Sequence, residues 1–520
     1  MDNKRHSSDA VSYVRPHFDQ HIDVVHPRLF GAFVEQMGRS VYTGIYEADH
    51  PTADARGFRG DVKELVRGLG VTTLRYPGGN FVSGYRWEDG VGPVEERPVR
   101  LDLAWHSTEP NTVGLHEFAS WAEESDAQMM LAVNLGTRGL EEALELLEYA
   151  NHRGSSELAD RRRRNGREDP FDVRMWCLGN EVDGPWQLGS LSAEEYGRLA
   201  SRVARAFRRF DPTLELVACG SSASFLPTFG DWEREVLMQA YDDVDFISCH
   251  AYYEEIDGDT AAFLSSSDHM QRVISDVSAT IEHVRSVKKS DRRVRISFDE
   301  WNVWYQADQA RPGAVPTSND DWPIAPPILE DQYTAADAVV VGSLLITLLN
   351  NVDVVHAACL AQLVNVIGPI VTVPGGPAFR QTSYFPFAET ASRARGSVVK
   401  TLVSSPTHAA GDRGDVASIV AATTFDPVDG TATVFLANRS ATDAVSVDVD
   451  VTQLGVCAVD AARLLHDPDF HAKNTAAEPE RVGLMDLDVA VEAGHVRAEL
   501  PPCSWAVIAL SSGRAEFSAG

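Results

Sequence analysis

Short apolar runs alternate with longer amphipathic stretches between residues 30 and 363. The apolar runs are rich in β-branched residues and are bounded by Gly, Asn or Pro, which predicts buried strands. Eight strands are predicted in this way, at Phe30–Glu35, Thr72–Pro77, Gln128–Leu135, Val173–Asn180, Leu214–Gly220, Asp245–Ala251, Val294–Glu300 and Val354–Leu363. The stretches between them follow the helical period and predict helices at Asp61–Gly70, Leu115–Ser125, Leu140–Asn151, Ser192–Phe210, Met270–Lys288 and Tyr333–Leu349.

The order of these elements predicts an α/β fold. Eight strands that alternate with helices are typical of a (β/α)8 TIM barrel. A doubly wound sheet is the alternative, but no Gly-rich phosphate loop follows the first strand. Ser192 and Glu195 form the S-x-x-E pattern of a capping box, which predicts where one of the helices begins.

The pattern changes after residue 385. Val445, Val447 and Val449 alternate with polar residues, as in a half-buried strand, and Asp429-Gly430 is typical of a hairpin turn. We therefore predict a C-terminal all-β sandwich of jelly-roll-like form. The strand-like residues near the start, including Val11–Val14, are expected to join it. The expected division of the chain is 1–29 with the sandwich, 30–385 as the barrel and 386–520 as the sandwich itself.

The net charge of the chain limits which kinds of molecule it is expected to bind. The sequence has 46 Lys and Arg against 76 Asp and Glu, a formal net charge of −30 at pH 7. Such a surface repels phosphate backbones, so nucleic acid is not expected as a partner. The one basic run, Arg161–Arg164, is predicted to be a solvated loop. The 16 histidines include no HExxH or similar ligand spacing, so no metal is expected.

Several segments of the sequence indicate where in the cell the protein is expected. Residues 1–8 contain no apolar segment of the signal-peptide type. The most apolar stretch, Ala335–Leu349, contains Asp337 and is too short to span a bilayer, so a buried helix is predicted there and no membrane contact. The six cysteines are scattered singly, as in reduced core residues. Together these features predict a cytoplasmic protein.

Two glutamates carry the candidate chemistry. Glu181 and Glu300 each close an apolar run and have aromatic neighbours, so a surface-loop position fits them poorly. They would end the fourth and seventh strands, on opposing sides of the catalytic face of a barrel. Two carboxyl groups there indicate glycosidic bond cleavage, with one as proton donor and the other as nucleophile or base. A retaining enzyme needs them about 5–5.5 Å apart, and an inverting one roughly 6.5–9.5 Å.

Six motifs follow one another across the predicted barrel, at Glu35–Arg39, Arg75–Phe81, Trp176–Glu181, Cys249–Tyr252, Asp299–Asn302 and Cys359–Asn365. Leu500-Pro501-Pro502 with Ser504-Trp505 adds a seventh near the end of the chain. In these motifs the sequence resembles the α-L-arabinofuranosidases of glycoside hydrolase family 51. The resemblance implies that Glu181 is the acid/base and Glu300 the nucleophile.

The resemblance also implies a furanose pocket. Its residues would be Glu35, Asn80, Trp105, Asn180, His250, Tyr252 and Gln362. Amides and carboxylates suit paired hydrogen bonds to sugar hydroxyls, and Asn180 is placed to bond the 2-hydroxyl. Taken alone, His250 fits a core histidine equally well, and Trp105 fits a core aromatic residue. Asn80 and Gln362, taken alone, fit amides that cap loops equally well.

One position departs from the family pattern. Members often have His after the first glutamate, whereas this chain has Gln36. Glutamine can form hydrogen bonds but cannot titrate near neutral pH. The change leaves Glu35 intact and bears only on fine adjustment of the pocket.

The resemblance implies an exo-acting, retaining enzyme that releases terminal arabinofuranose from arabinan or arabinoxylan oligosaccharides. It implies no cofactor, and a homo-oligomer, often a hexamer in this family. One alternative is a related barrel glycosidase, such as a β-xylosidase or an endoglucanase. The other is a non-catalytic carbohydrate-binding protein, which the presence of both glutamates and the pocket amides disfavours.

Overall fold

The computed structural model describes residues 11–306, 315 and 321–512. The expectation about residues 1–8 lies outside this range. Eight parallel strands form a closed barrel, in which the eighth strand pairs with the first through Cys359 and Gly31. In chain order they are Gly31–Phe33, Thr73–Tyr76, Gln128–Ala132, Met175–Leu178, Glu215–Ala218, Phe246–Tyr253, Arg295–Val303 and Val355–Ala361. All eight predicted barrel strands are confirmed, with ends that differ by at most three residues.

Helices surround the barrel and pack their apolar faces on its strands. The α-helices of the described residues are Gly60–Leu69, Leu115–Glu124, Leu140–Asn151, Glu157–Arg164, Ala193–Phe210, Asp231–Ala240, Thr260–Leu264, Ser266–Lys288, Ala335–Asn350 and Tyr384–Arg393. The predicted capping box is present, because Ser192 Oγ accepts from the Glu195 N–H and the Glu195 carboxylate accepts from the Ser192 N–H. None of the helices within the described residues is both long enough and apolar enough to cross a bilayer.

The prediction for the basic run was wrong. Arg161–Arg164 form the last turn of helix Glu157–Arg164, and the Arg162 side chain is fully buried. Its guanidinium donates to the backbone carbonyls of Tyr149 and His152 at 2.8 and 3.0 Å. Because Arg162 satisfies carbonyls at the end of the preceding helix, one residue of the run belongs to the interior.

The second unit is a ten-stranded sheet. Its strands in chain order are Val11–Val24, Ser397–Ser404, Ile419–Asp426, Thr431–Asn438, Val445–Asp450, Cys457–Leu465, Leu484–Asp486, Val489–Glu492, His495–Leu500 and Ser504–Ser512. Val11–Val24 lies between Ser397–Ser404 and Val445–Asp450. The hairpin predicted at Asp429-Gly430 is confirmed by the pairing of Asp426 with Thr431. The structure thus confirms the predicted fold class, a TIM-like barrel with a C-terminal sheet-rich domain.

The remaining strands form three small two-stranded hairpins outside the barrel and the large sheet. They pair Arg100–Asp102 with Ser107–Glu109, Ile370–Thr372 with Ala378–Arg380, and Thr407–Ala409 with Asp415–Ala417. The first of these lies in the connection after the second barrel strand. It carries Trp105 towards the barrel mouth, where the indole contacts Glu35.

Candidate active site

The catalytic face gathers side chains from the ends of six barrel strands. Glu35 follows the first strand and Asn80 the second, Asn180 and Glu181 follow the fourth, and Gln362 follows the eighth. His250 and Tyr252 belong to the sixth strand, and Glu300 to the seventh. Because the carboxyl ends of barrel strands meet at one mouth, residues far apart in sequence come together here.

Glu300 lies within its strand and not at its end as predicted, because the seventh strand continues to Val303. The strand pairing shifts register between Ser297 and Glu300. Strict alternation would point Asp299 and Glu300 to opposite faces, but such an irregularity re-aims side chains. As a result both carboxylates reach Arg75, at 3.8 Å for Asp299 Oδ2 and 2.7 Å for Glu300 Oε1.

Two donors fix the carboxylate of Glu181. This residue follows the fourth strand with a left-handed φ of 44°, an uncommon conformation for a residue other than glycine. Its Oε2 accepts from the indole N–H of Trp186 at 2.9 Å, and its Oε1 lies 2.9 Å from Nδ1 of His250. The side chain is therefore held in one orientation, towards Glu300.

The two catalytic candidates are close enough for a covalent mechanism. Ligating atoms of Glu181, His250 and Glu300 all lie within 4.8 Å of one another. A short separation of this kind is typical of retaining glycosidases, whose two carboxyl groups lie about 5–5.5 Å apart. A metal ion is disfavoured at this triplet, because the Arg75 guanidinium is already 2.7 Å from Glu300.

Both oxygens of Glu300 are engaged. Oε1 accepts from Arg75 at 2.7 Å, and Oε2 accepts from the Tyr252 hydroxyl at 2.6 Å. Burial alone would raise the pKa of Glu300, but the nearby charges of His250 and Arg75 outweigh it and lower that pKa below its usual value. In turn the carboxylates of Glu300 and Glu181 raise the pKa of His250 against the opposite effect of burial. Glu300 is thus ionised at neutral pH, as a nucleophile must be.

Glu35 differs from Glu300 in charge state. Its Oε1 accepts from the Phe81 N–H and from the Trp105 indole N–H, both at 2.8 Å. Its other oxygen lies 3.4 Å from Nε2 of Gln362. Burial outweighs these donors and raises the pKa of Glu35 to about 8. At neutral pH this side chain is therefore a neutral acid that can donate a hydrogen bond as well as accept one.

The Gly78-Gly79 turn brings backbone against both carboxylates. A Cβ on Gly78 would lie 2.5 Å from Glu35 Cγ, and a Cβ on Gly79 would lie 3.1 Å from Glu35 Oε2 and 3.3 Å from Glu300 Oε1. A side chain at Gly78 does not fit this approach, and one at Gly79 would push on both carboxylates. The turn predicted from sequence therefore separates the neutral acid from the ionised one.

The amides form a connected set beside Glu181. Arg75 donates to Asn180 Oδ1 at 2.6 Å, and the Asn180 amide donates to Asn80 Oδ1 at 3.4 Å. Gln187 also donates to Asn80. Asn180 is buried and fixed by Arg75, so its amide N–H group has a defined direction.

The structure brings all nine predicted site residues to this mouth, but sequence reasoning gave no role to three others that hold them. Arg75, Trp186 and Gln187 contact Glu300, Glu181 and Asn80 respectively. The signal for Arg75 was present, because a charged residue interrupts the apolar strand Thr73–Tyr76. Gln36 donates to the Val113 carbonyl at 2.8 Å and to the Tyr76 hydroxyl at 3.3 Å, away from the pocket carboxylates.

A TIM-like barrel with two facing carboxyl groups at its mouth defines the class of protein, a glycoside hydrolase. Comparison with known families narrows this. The family described as α-L-arabinofuranosidase C-terminal domain matches residues 299–504, and the α-L-arabinofuranosidase 1 domain matches residues 65–272. The chain belongs to the α-L-arabinofuranosidases of glycoside hydrolase family 51.

Individual relatives agree with this assignment. An intracellular exo-α-(1→5)-L-arabinofuranosidase from Streptomyces lividans is 53% identical over 93% of this chain and 73% of its own length. An exo-α-(1→6)-L-arabinofuranosidase from Bifidobacterium longum is 52% identical over 94% of this chain and 95% of its own. Among solved structures, the family 51 α-L-arabinofuranosidase AbfB from Bifidobacterium longum has a TM-score of 0.93 at 46% identity. That alignment covers 96% of this chain and all of AbfB.

Proposed function

We propose that this protein is an exo-acting, retaining α-L-arabinofuranosidase that removes non-reducing terminal arabinofuranose from arabinan or arabinoxylan oligosaccharides. The observation that carries the proposal is the pair of carboxyl groups, Glu181 and Glu300, with ligating atoms within 4.8 Å of each other. The exo-acting enzymes among its relatives support the mode of attack.

The first step uses Glu300 as the nucleophile. Its ionised carboxylate attacks the anomeric carbon while Glu181 gives a proton to the leaving oxygen. The anomeric carbon–oxygen bond breaks, a glycosyl ester with Glu300 forms, and the aglycone leaves as an alcohol. Arg75 and Tyr252 hold Glu300 in place for this attack.

The second step returns the enzyme to its starting state. Glu181, now a carboxylate, takes a proton from water, and the water oxygen attacks the anomeric carbon and displaces Glu300. The product has the configuration of the substrate because two inversions have occurred. His250 contacts Glu181 and lies 3.7 Å from Glu300. It therefore interacts electrostatically with both carboxylates in each step of the reaction.

The remaining pocket residues bind the sugar in this proposal. Asn180 bonds the 2-hydroxyl, where a hydrogen bond strengthens at the transition state. Glu35, Asn80 and Gln362 bind other hydroxyls. Trp105, fixed through Glu35, packs on the sugar.

Linkage preference needs a direct test, because two relatives of almost equal identity are named for different linkages, (1→5) and (1→6). We further propose that the enzyme acts inside the cell, as the names of several relatives support. The family resemblance also supports assembly as a homo-oligomer, which light scattering of the purified protein would measure.

The testing experiment is hydrolysis of 4-nitrophenyl α-L-arabinofuranoside beside the β-xyloside and β-glucoside. Turnover of the arabinofuranoside alone, with arabinose as the only early product from (1→5)- and (1→6)-linked oligosaccharides, is expected. A preference for the xyloside, or internal cleavage of a β-glucan, would favour a related barrel glycosidase. Sugar binding without turnover would favour the binding protein.

A further inference from the structure

A cluster at the end of the barrel opposite the catalytic glutamates contains two histidines and a carboxylate. Asp23 is the next-to-last residue of strand Val11–Val24, and His26 precedes the turn into the first barrel strand. His356 is the second residue of the eighth barrel strand. One ligating atom from each of the three lies within 4.8 Å of the others, and all three side chains are half-buried.

Two atoms of this cluster have no partner. Nε2 of His26 and Nε2 of His356 are buried and make no hydrogen bond within the described part of the chain. Buried polar atoms rarely stay unpaired, and each exception calls for an explanation such as a water or an ion. Asp23 Oδ1 accepts from the Val24 N–H at 2.8 Å, which leaves Oδ2 available.

We propose that Asp23, His26 and His356 bind one divalent transition-metal ion, with Zn2+ as the best fit. Imidazole nitrogen and carboxylate oxygen are ligands that Zn2+ prefers, and a water would complete a tetrahedral site. In this proposal the two unpaired Nε2 atoms are the ligating nitrogens, so one ion would satisfy both.

Binding requires a small rearrangement of the rings. The two imidazoles stack with centroids 4.0 Å apart and planes inclined by 26°. Zinc–nitrogen bonds of about 2.0–2.1 Å place neighbouring ligand atoms roughly 3.3 Å apart in a tetrahedron. The ligating atoms must therefore converge from as much as 4.8 Å, and the rings must turn out of their stack. Both histidines are only partly buried, which leaves the rings room to turn.

The charge around the cluster sets the expected strength. Arg295 acts electrostatically on both rings and Arg28 on that of His26, but Arg28 is paired with Glu215 at 2.6 Å. Asp23 offsets the charge of Arg295, so the site and its surroundings together are close to neutral. A neutral site of two histidines and one carboxylate predicts binding that is reversible and weaker than in closed four-ligand zinc sites.

The position of the site indicates its role. The ion would tie the strand that begins the sheet domain to the first and eighth barrel strands. It would stabilise the folded chain by mass action and take no part in catalysis at the other end of the barrel.

The test is zinc binding by equilibrium dialysis of the metal-free full-length protein against zinc chloride, followed by elemental analysis. The wild type is compared with the His26→Gln/His356→Gln double variant. The matched control is His283→Gln, which removes an exposed histidine on helix Ser266–Lys288. The wild type and the control should each bind one more zinc per chain than the double variant. Asp23→Asn should weaken that binding at least about tenfold.

Two readouts separate this site from the others. Zinc held by Glu181, His250 and Glu300 would persist in the double variant and would inhibit hydrolysis, whereas loss of the proposed site should leave metal-free activity unchanged. Co2+ in the proposed site should give visible d–d absorption that the double variant lacks. Equal zinc content in the wild type and the double variant, including none in either, would overturn the proposal.

Discussion

At the scale of single residues, Arg75 organises the charges of the active site. It is buried, and its guanidinium lies within 4 Å of the carboxylates of Asp299 and Glu300. It also donates to Asn180, next to Glu181, the proposed acid/base. Together with His250, this fixed cation favours the ionised form of Glu300, the proposed nucleophile, and it places the amide that is proposed to bond the 2-hydroxyl. Glu35 contacts no cation among the described residues, and it keeps its proton at neutral pH.

The role of Glu181 predicts a dependence on the leaving group. Glu181→Ala should slow glycosides with poor leaving groups by about 10²–10⁴-fold, because they need the proton that a general acid supplies. An activated aryl glycoside needs little protonation, so its first step should survive and the covalent intermediate should accumulate as an initial burst. Azide should speed breakdown of that intermediate with retained configuration. If both kinds of substrate slow equally and no burst appears, another residue is the acid/base.

The charge state of Glu35 predicts a dependence of sugar binding on pH. Its pKa of about 8 means that it is neutral below pH 8 and negative above it. Ionisation would add a second negative charge beside Glu300, so KM for the arabinofuranoside should rise by about tenfold between pH 7 and 9. Glu35→Gln cannot ionise and serves as the control. Its KM should be flat over the same range, and a rise of equal size in this variant would refute the assignment.

The sequence predicted which residues belong to the site, but it did not predict which of them contact one another. Motifs named Glu35 and Gln362, yet nothing in a motif says that two residues 327 positions apart share a hydrogen bond. That contact exists because the first and eighth strands pair when the barrel closes. Likewise the protonation of Glu35 follows from burial, which depends on the whole fold.

At the scale of elements, the hairpin of Arg100–Asp102 with Ser107–Glu109 positions one wall of the pocket. Buried Asp102 accepts from the backbone N–H groups of Ala104 and Trp105, at 3.0 and 3.1 Å. Leu101 and Leu103 beside it are mostly exposed, so polar contacts hold this loop more than apolar packing does. The loop in turn delivers the Trp105 indole N–H to Glu35.

A double-mutant cycle tests whether Asp102 acts through Trp105. Asp102→Asn and Trp105→Phe should each raise KM by about tenfold with little change in kcat, because each loosens the ground-state pocket. The double variant should resemble Trp105→Phe alone. Asp89→Asn is the matched control, since it removes the hairpin's ion pair with Arg100 and leaves the loop intact. Additive effects of the two substitutions would show that Asp102 acts by another route.

Helices and strands could be predicted where the sequence has a long periodic pattern. They were harder to predict where tertiary contacts determine the local structure. The barrel strands and the capping box at Ser192 were foreseen. The irregularity before Glu300 was not, because pairing with the sixth strand creates it. Helix Glu157–Arg164 was also missed, since four consecutive arginines suggest solvent, whereas Arg162 is buried against backbone carbonyls.

At the scale of the whole molecule, the sheet domain and the barrel share a face. Helix Ala335–Asn350 is buried along nearly its whole length, and a Cβ on Gly342 would lie 2.2 Å from Trp505 of the last strand. Arg439 of the sheet domain also pairs with Asp268 at 2.6 Å. The predicted boundary at 385 falls within helix Tyr384–Arg393. We propose that the two parts fold as one unit.

Truncation of the chain tests whether the barrel and the sheet domain fold as one unit. A chain that ends at Arg395 keeps every barrel element but exposes the apolar helix Ala335–Asn350, so it should be insoluble or lose most of its stability. Gly342→Val in the full chain is the companion variant. Its side chain would clash with Trp505 between the two parts, so it should lower Tm and leave the active site unchanged. A soluble, fully active truncated chain would contradict the proposal.

The stereochemistry of the first product tests the central claim most directly. Proton NMR of 4-nitrophenyl α-L-arabinofuranoside during hydrolysis shows which anomer appears before mutarotation. Glu181 and Glu300, with ligating atoms within 4.8 Å of each other, predict α-arabinofuranose first, through a glycosyl-enzyme on Glu300. Initial release of the β-anomer would mean single displacement by water and would contradict this account of the site.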